Sequence, residues 1–224
     1  TYLSVKGQVV AVGAKAMVLN DGGDKCLYVY VADAPGGAVG DVVKVDGQNS
    51  TYGKDDAGYT QLKQLKNVTI TKISDNITAK EIAPVALSAA QIDAPYSSAE
   101  TSLVTIDGTV KKDGNYINLE LDGEVLGSIV ESEVGSALPD GERLTITGYF
   151  AGINSRGYFC ILPVSSTESS SAYFTVPNTE ISVSSSATSA AIEVKGNVAW
   201  TASCQTEGFT LDKISGEGAA TITV

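Results

Sequence analysis

The sequence contains no histidine among its 224 residues. Histidine is the commonest general base and the usual partner of a nucleophilic serine or cysteine, so both arrangements are excluded. The 26 aspartates and glutamates are scattered over turns, without a distinguished acid–base pair. Neither Gly22-Gly23 nor Gly36-Gly37 precedes a helix with the lysine that a phosphate-binding loop needs. We therefore predict that the chain has no catalytic residues, needs no cofactor and is not an enzyme.

Metal ligands are also poorly arranged. Four carboxylates could offer oxygen to calcium, but they lack a spaced motif and are expected in turns and a loop: Asp21, Asp24, Asp55 and Asp56. Cys26, Cys160 and Cys204 lie in separate apolar, strand-like runs, and this spacing cannot form a zinc site. We predict no metal site and three unpaired, mostly buried thiols, with an interdomain disulfide as the alternative.

The formal net charge of −11 disfavours nucleic acid as a ligand of the whole chain, because an acidic surface repels phosphates. Residues 1–74 are the exception, with eight lysines against seven carboxylates. No apolar run reaches the roughly 18 residues that a membrane-spanning helix needs. The sequence starts at Thr1 and shows no signal peptide, so we expect a trimmed, secreted form whose signal or lipid anchor lies outside this sequence.

One pattern occurs twice and organises the chain. Residues 40–47 read Gly, acid, any, apolar, any, apolar, any, Gly, and residues 141–148 repeat this pattern. The same offset of 101 residues places residues 3–9 on residues 104–110. Matches at one constant offset indicate a duplicated domain.

Within the first copy, alternating apolar residues and turn signals predict five strands, near residues 3–11, 16–20, 26–31, 41–46 and 59–73. Five strands with Gly7 inside a long, bent first strand are typical of an OB-fold barrel. The motifs Val5-x-Gly7-x-Val9, Leu19-x-Asp21-Gly22, Leu27-x-Val29-x-Val31, residues 40–47 and Gly58-Tyr59-x-Gln61-Leu62 resemble OB-fold modules of secreted bacterial proteins. Some such modules accompany extracellular nucleases, and others occur in surface lipoproteins.

The remaining chain divides at composition changes. We predict domains at 1–74 (first OB-like barrel), 75–100 (connector with one or two helical turns near 88–92) and 101–165 (second OB-like barrel). A serine-rich linker at 166–172 precedes an immunoglobulin-like β-sandwich at 173–224. Strands are expected there at roughly 8–12-residue spacing, including 180–183 and 209–211. The fold class is therefore all-β, with two tandem five-stranded OB-like barrels followed by the sandwich.

The third segment also carries a resemblance. Residues 194–202, 209–211 and 215–224 are similar to the BACON family, immunoglobulin-like domains of secreted bacterial proteins named for a suspected carbohydrate-binding role. Members normally continue with two more strands, so the sandwich is expected to be incomplete at Val224. Trp200 is expected to fill the core between the sheets rather than to bind sugar.

Aromatic residues supply the candidate binding positions. On an OB barrel the second and third strands and the loops beside them bind ligands, and tyrosines there can stack on sugars or bases. We select seven residues by this criterion: Tyr28, Tyr30, Tyr52, Tyr59, Tyr149, Arg156 and Tyr158. Core packing of strand aromatics is the competing interpretation.

These features predict a monomeric, non-catalytic binding or spacer protein of the cell surface that recognises a polysaccharide or other glycan, and an outer-membrane lipoprotein is the expected form. The choice of carbohydrate as the ligand rests on the resemblance to the BACON family. The alternatives are nucleic-acid binding by the first barrel and a purely structural surface spacer.

Overall fold

The computed structural model describes residues 1–55, 58–93, 96 and 98–224. The all-β prediction is confirmed, since the described chain contains sixteen strands and only two short helices. The strands fall into a closed barrel, a second six-stranded sheet, and two small sheets near the C-terminal end.

The first five strands form the closed barrel. They are β1 (Tyr2–Gly13), β2 (Ala16–Asn20), β3 (Cys26–Tyr30), β4 (Val42–Tyr52) and β5 (Leu62–Lys72). Their order around the barrel is β1-β2-β3-β5-β4, and every neighbouring pair is antiparallel except β3 and β5. Because strand side chains alternate between faces, the interior is filled by one set of residues: Val9, Met17, Leu19, Val29, Val31, Val43, Val45 and Leu65.

Gly7 lies where β1 passes from one neighbour to the other. Residues 2–8 of β1 pair with β4, and residues 8–13 pair with β2. A Cβ atom at Gly7 would lie 2.9 Å from the carbonyl oxygen of Asn20. The close approach of the two backbones therefore explains the glycine.

The second sheet repeats these pairings. Its elements are β6 (Val85–Leu87), α1 (Ala89–Asp93), β7 (Leu103–Asp113), β8 (Tyr116–Leu121), β9 (Glu124–Ile129), α2 (Glu133–Ala137), β10 (Arg143–Ile153) and β11 (Phe159–Glu168). The order is β10-β11-β9-β8-β7-β6, and β10 also pairs with β7. Gly108 lies where β7 passes from β10 to β8, as Gly7 does in β1. The parallel pair β9–β11 corresponds to β3–β5, while β6 is an addition.

The largest core is shared between the barrel and the second sheet. It joins Val18, Tyr28 and Leu62 of the barrel to the apolar residues of β7–β11. Tyr96 packs edge-on against Phe150 and Phe159, with ring centroids 4.8 and 5.0 Å away. One outer face of the barrel is therefore an interior surface of the protein.

The C-terminal part forms two small sheets. Its strands are β12 (Phe174–Thr175), β13 (Ala191–Gly196), β14 (Ala199–Thr201), β15 (Ser215–Glu217) and β16 (Ala220–Thr223). Strands β12, β13 and β16 form one sheet, and β14 and β15 form the other. Trp200 is buried with Val194 and Ile222, as the sequence predicted.

Several local predictions differ from the structure. The segments 180–183 and 209–211 form no strand, and β15 was not predicted. Strand β11 continues to Glu168, because residues 165–168 pair with β10, so the start of the serine-rich segment is sheet. The three thiols are unpaired as predicted, but the expectation that they are mostly buried is wrong for Cys204, which is exposed. The strand pattern failed for the segments 180–183 and 209–211 because their apolar residues Ile181, Val183 and Phe209 are exposed and lie outside the sheets.

Candidate functional site

A cleft of about 520 Å³ lies between the barrel and the second sheet. On the barrel side it is formed by the outward faces of β3, β4 and β5. Val29 and Leu65 point into the barrel, so their neighbours along each strand point outwards. The parallel register places Tyr28 beside Gln64, and the antiparallel register places Ser50 on the other side of Gln64. Residues distant in sequence thereby form one surface.

The second sheet forms the opposite wall. Val130, Glu131, Ala151 and Cys160 line the cleft from that side. The backbone N–H of Ala14 donates a 2.8 Å hydrogen bond to the carbonyl oxygen of Glu131, which fastens one end of the cleft. The site is composite, because neither the barrel nor the sheet encloses it alone.

Two buried polar side chains form the floor of the cleft. Gln64 is 6% exposed and Tyr28 is 7% exposed. Neither the amide of Gln64 nor the hydroxyl of Tyr28 has a hydrogen-bond partner among the described residues. Neither group is among the fully buried polar atoms that lack a partner, so the amide and the hydroxyl reach the open cleft. A bound molecule can therefore hydrogen-bond both groups in place of solvent.

The ionisable side chains at the bottom of the cleft, Tyr28 and Cys160, are uncharged at neutral pH. Burial raises the pKa of Tyr28 above its ordinary value, so its hydroxyl keeps its proton and can donate a hydrogen bond. Burial likewise raises the pKa of the Cys160 thiol to about 12, which leaves the sulfur protonated and unreactive. The cleft thus offers hydrogen bonds and apolar contact rather than a nucleophile.

Three predicted tyrosines meet at this cleft. Tyr28 lies on the floor, while Tyr30 and Tyr52 are 40% and 41% exposed and line it nearer to solvent. Their rings belong to β3 and to the end of β4. The structure therefore brings together aromatic faces that the sequence separates by more than twenty residues.

The other four predicted residues lie elsewhere. Tyr59 is half-buried against the shared core, with the Nζ atom of Lys54 4.8 Å from its ring centroid. Tyr149 is buried beside the Cys26 thiol, and burial raises its pKa to about 12. The Arg156 guanidinium lies 5.4 Å from the ring centroid of Tyr116. Tyr158 is half-buried and donates its backbone N–H to Asn154.

The sequence interpretation missed residues that define the cleft. Gln64, Lys15, Lys66 and Glu131 all line it. Gln64 and Lys66 share a face of β5 because side chains two residues apart on a strand point the same way. The sequence alone could therefore have placed them on one face. No sequence signal indicated that this face is covered by the second sheet.

The described residues contain no group of three or more acidic, cysteine or histidine side chains that could hold a metal ion. Asp21 accepts a hydrogen bond from the N–H of Gly23 in a turn, and Asp24 pairs with Lys80. Asp55 lines a loop surface, and Asp56 lies outside the described residues. None of the helices in the described chain has the length and hydropathy required to span a bilayer.

Comparison with known proteins gives no assignment. No protein-family model matches the chain, and neither the curated proteins nor the solved structures contain a match. Any function must therefore be argued from the cleft itself.

Proposed function

We propose that this protein is a non-catalytic surface protein that binds carbohydrate in the cleft between its first barrel and its second sheet. The observation that carries the proposal is the pair of unpartnered floor groups, Gln64 and Tyr28, next to the exposed rings of Tyr30 and Tyr52. Sugar rings present apolar C–H faces to aromatic rings and hydroxyl groups to amides. The cleft offers both in one place.

The architecture supports the interpretation of the chain as tandem OB-like barrels followed by a BACON-like domain. The order β1-β2-β3-β5-β4 with one parallel pair suits an OB-type barrel, and β7–β11 repeat its pairings. Two small sheets around Trp200 suit a reduced sandwich. A secreted or lipid-anchored location remains part of the proposal and rests on these resemblances.

Nucleic-acid binding has less support. The face of the barrel that would stack bases is partly covered by the second sheet, and only Lys15 and Lys66 supply positive charge in the cleft. A nucleic-acid site would need a longer basic groove beside its aromatic rings. A spacer role would make no use of the cleft in which Gln64 lies beside Tyr30 and Tyr52.

Substitution of the floor amide tests the proposal. The full-length protein is titrated with a panel of oligosaccharides, and the best binder is used for variants. Gln64→Leu keeps the approximate shape of the side chain and removes the amide, so stability is expected to stay equal or rise while affinity falls at least about tenfold. Tyr30→Ala and Tyr52→Ala should also weaken binding. Tyr2→Ala is the control, because Tyr2 is exposed and does not line the cleft.

Two results would count against carbohydrate. If no member of the panel binds, the spacer interpretation replaces the proposal. If single-stranded nucleic acid binds instead, with an affinity that falls steeply as salt rises, the first barrel is a nucleic-acid module.

A further inference from the structure

Most lysine side chains of this acidic protein have partners among the described residues. Some form ion pairs, such as Lys6 with Asp75 and Lys72 with Asp41. Others donate to backbone carbonyls, as Lys112 and Lys213 do. The ammonium groups of Lys15, Lys63 and Lys66 differ, since none of the three has a hydrogen bond or ion pair with a described residue. Of these, Lys15 and Lys66 line the cleft that contains Gln64, and Lys63 does not.

The placement of these two lysines follows from the strand registers. Lys15 lies in the turn between β1 and β2, next to the strand position of Tyr30, and its carbonyl accepts from the N–H of Val31. Lys66 follows Gln64 by one two-residue period on the same face of β5. Two cations therefore border the same neutral floor.

The local charge of the cleft is opposite to that of the molecule. The charged residues that line it are Lys15, Lys66 and Glu131, which together carry one positive charge, whereas the whole chain carries −11. An acidic protein with 26 carboxylates has many partners for a lysine. Two unpaired ammonium groups beside the floor amide give the cleft a local positive potential, which favours an anionic ligand there.

We propose that the sugar bound in the cleft is anionic and that Lys15 and Lys66 bind its uronate carboxylate or sulfate ester. This inference rests on the proposed carbohydrate function. Gln64 and Tyr28 hydrogen-bond the ring hydroxyls, and Tyr30 and Tyr52 contact the C–H faces. Glu131, on the opposite wall, accepts from hydroxyl groups and disfavours a second anion at its end of the cleft.

Matched charged and uncharged ligands test the inference on the full-length protein. One pair is a galacturonic acid oligosaccharide and its methyl ester, and the other is a sulfated galactan oligosaccharide and its desulfated form. The charged member is expected to bind about tenfold or more tightly than its neutral counterpart, a typical effect of charge-assisted hydrogen bonds. The pair that shows the difference identifies the anion.

Variants locate the effect. The double variant Lys15→Met and Lys66→Met should reduce the preference for the charged member to less than about twofold, and Glu131→Gln should strengthen its binding. Lys63→Met is the matched control, because Lys63 lies on the same strand but does not line the cleft.

The outcomes separate this inference from the function on which it rests. If the charged and neutral members bind equally well, and Gln64→Leu abolishes both, the carbohydrate site stands and the anionic ligand is wrong. If the lysine variant keeps the full preference, the anion binds elsewhere and the inference is overturned. If neither the two pairs nor the wider oligosaccharide panel binds, both proposals fail together.

Discussion

Tyr52 of the first barrel packs against Gly152 of the second sheet. A Cβ atom at Gly152 would lie 2.7 Å from Cδ1 of Tyr52, and the backbone φ of Gly152 is +94°. The same ring lines the candidate cleft. This contact therefore couples the packing of the two units to the position of a residue proposed to bind ligand.

Substitution of Gly152 by alanine is expected to destabilise the protein by about 2–4 kcal/mol. The added methyl group meets the Tyr52 ring, and alanine is disfavoured at positive φ. Gly123→Ala is the control, because Gly123 has a φ of +87° and nothing within 4 Å of its added Cβ. Urea unfolding should show about 1–2 kcal/mol for the control. If both variants lose the same free energy of unfolding, the Tyr52 ring moves aside for the added methyl group without destabilising the protein.

Trp200 is expected to hold the C-terminal part together. It is 7% exposed, its Nε1–H donates a 2.8 Å hydrogen bond to the carbonyl of Gly218, and its ring contacts Gly216. Trp200→Ala should cost about 3–5 kcal/mol, whereas Trp200→Phe should cost less because it keeps part of the apolar contact. Circular dichroism during thermal unfolding measures both. A wild-type melting profile for Trp200→Ala would contradict the core position.

Stability is expected to fall as pH rises from about 9 to about 12. Burial raises the pKa of the Cys160 thiol from 9.0 to about 12, so the folded protein keeps a proton that the unfolded chain loses. This contribution is complete below pH 9 and is lost as pH rises through the folded pKa, by at most about 1.4 kcal/mol per pH unit. Tyr28 and Tyr149, whose pKa values burial also raises, act in the same direction above pH 10.

The pH effect is measured as the change in urea midpoint between pH 8 and pH 10. Cys160→Ala should show a smaller change than wild type, because it lacks the buried thiol. Cys204→Ala should behave as wild type, since Cys204 is exposed. The same slope in all three proteins would show that Cys160 does not contribute.

The three thiols are expected to react with iodoacetamide at different rates in the folded protein. Cys204 is exposed, Cys26 is half-buried and Cys160 is buried, so modification should follow that order. Burial also raises the pKa of Cys26, which lowers its thiolate fraction. Peptide mass spectrometry after short exposure measures the order. Early modification of Cys160 would show that the cleft opens widely in solution.

The amino-acid sequence by itself determined the local elements. Alternating apolar residues predicted the strands of the barrel, with 16–20 matching β2 at both ends, and Gly7 marked the point where β1 passes from β4 to β2. Trp200 was predicted as a core residue because it lies in an apolar run, and burial confirms this. Each of these features depends on residues close together in sequence, so the two-residue period of a strand predicts it directly.

Only the tertiary structure decided which strand faces meet. The parallel pairing of β3 with β5 places Gln64 beside Tyr28, and the second sheet covers that face with Ala151 and Cys160. A strand pattern shows that one face is apolar and the other is polar, but not which distant segment packs on it. The cleft, and the meeting of Gln64, Lys15 and Lys66 in it, therefore arise from long-range contacts that no local period encodes.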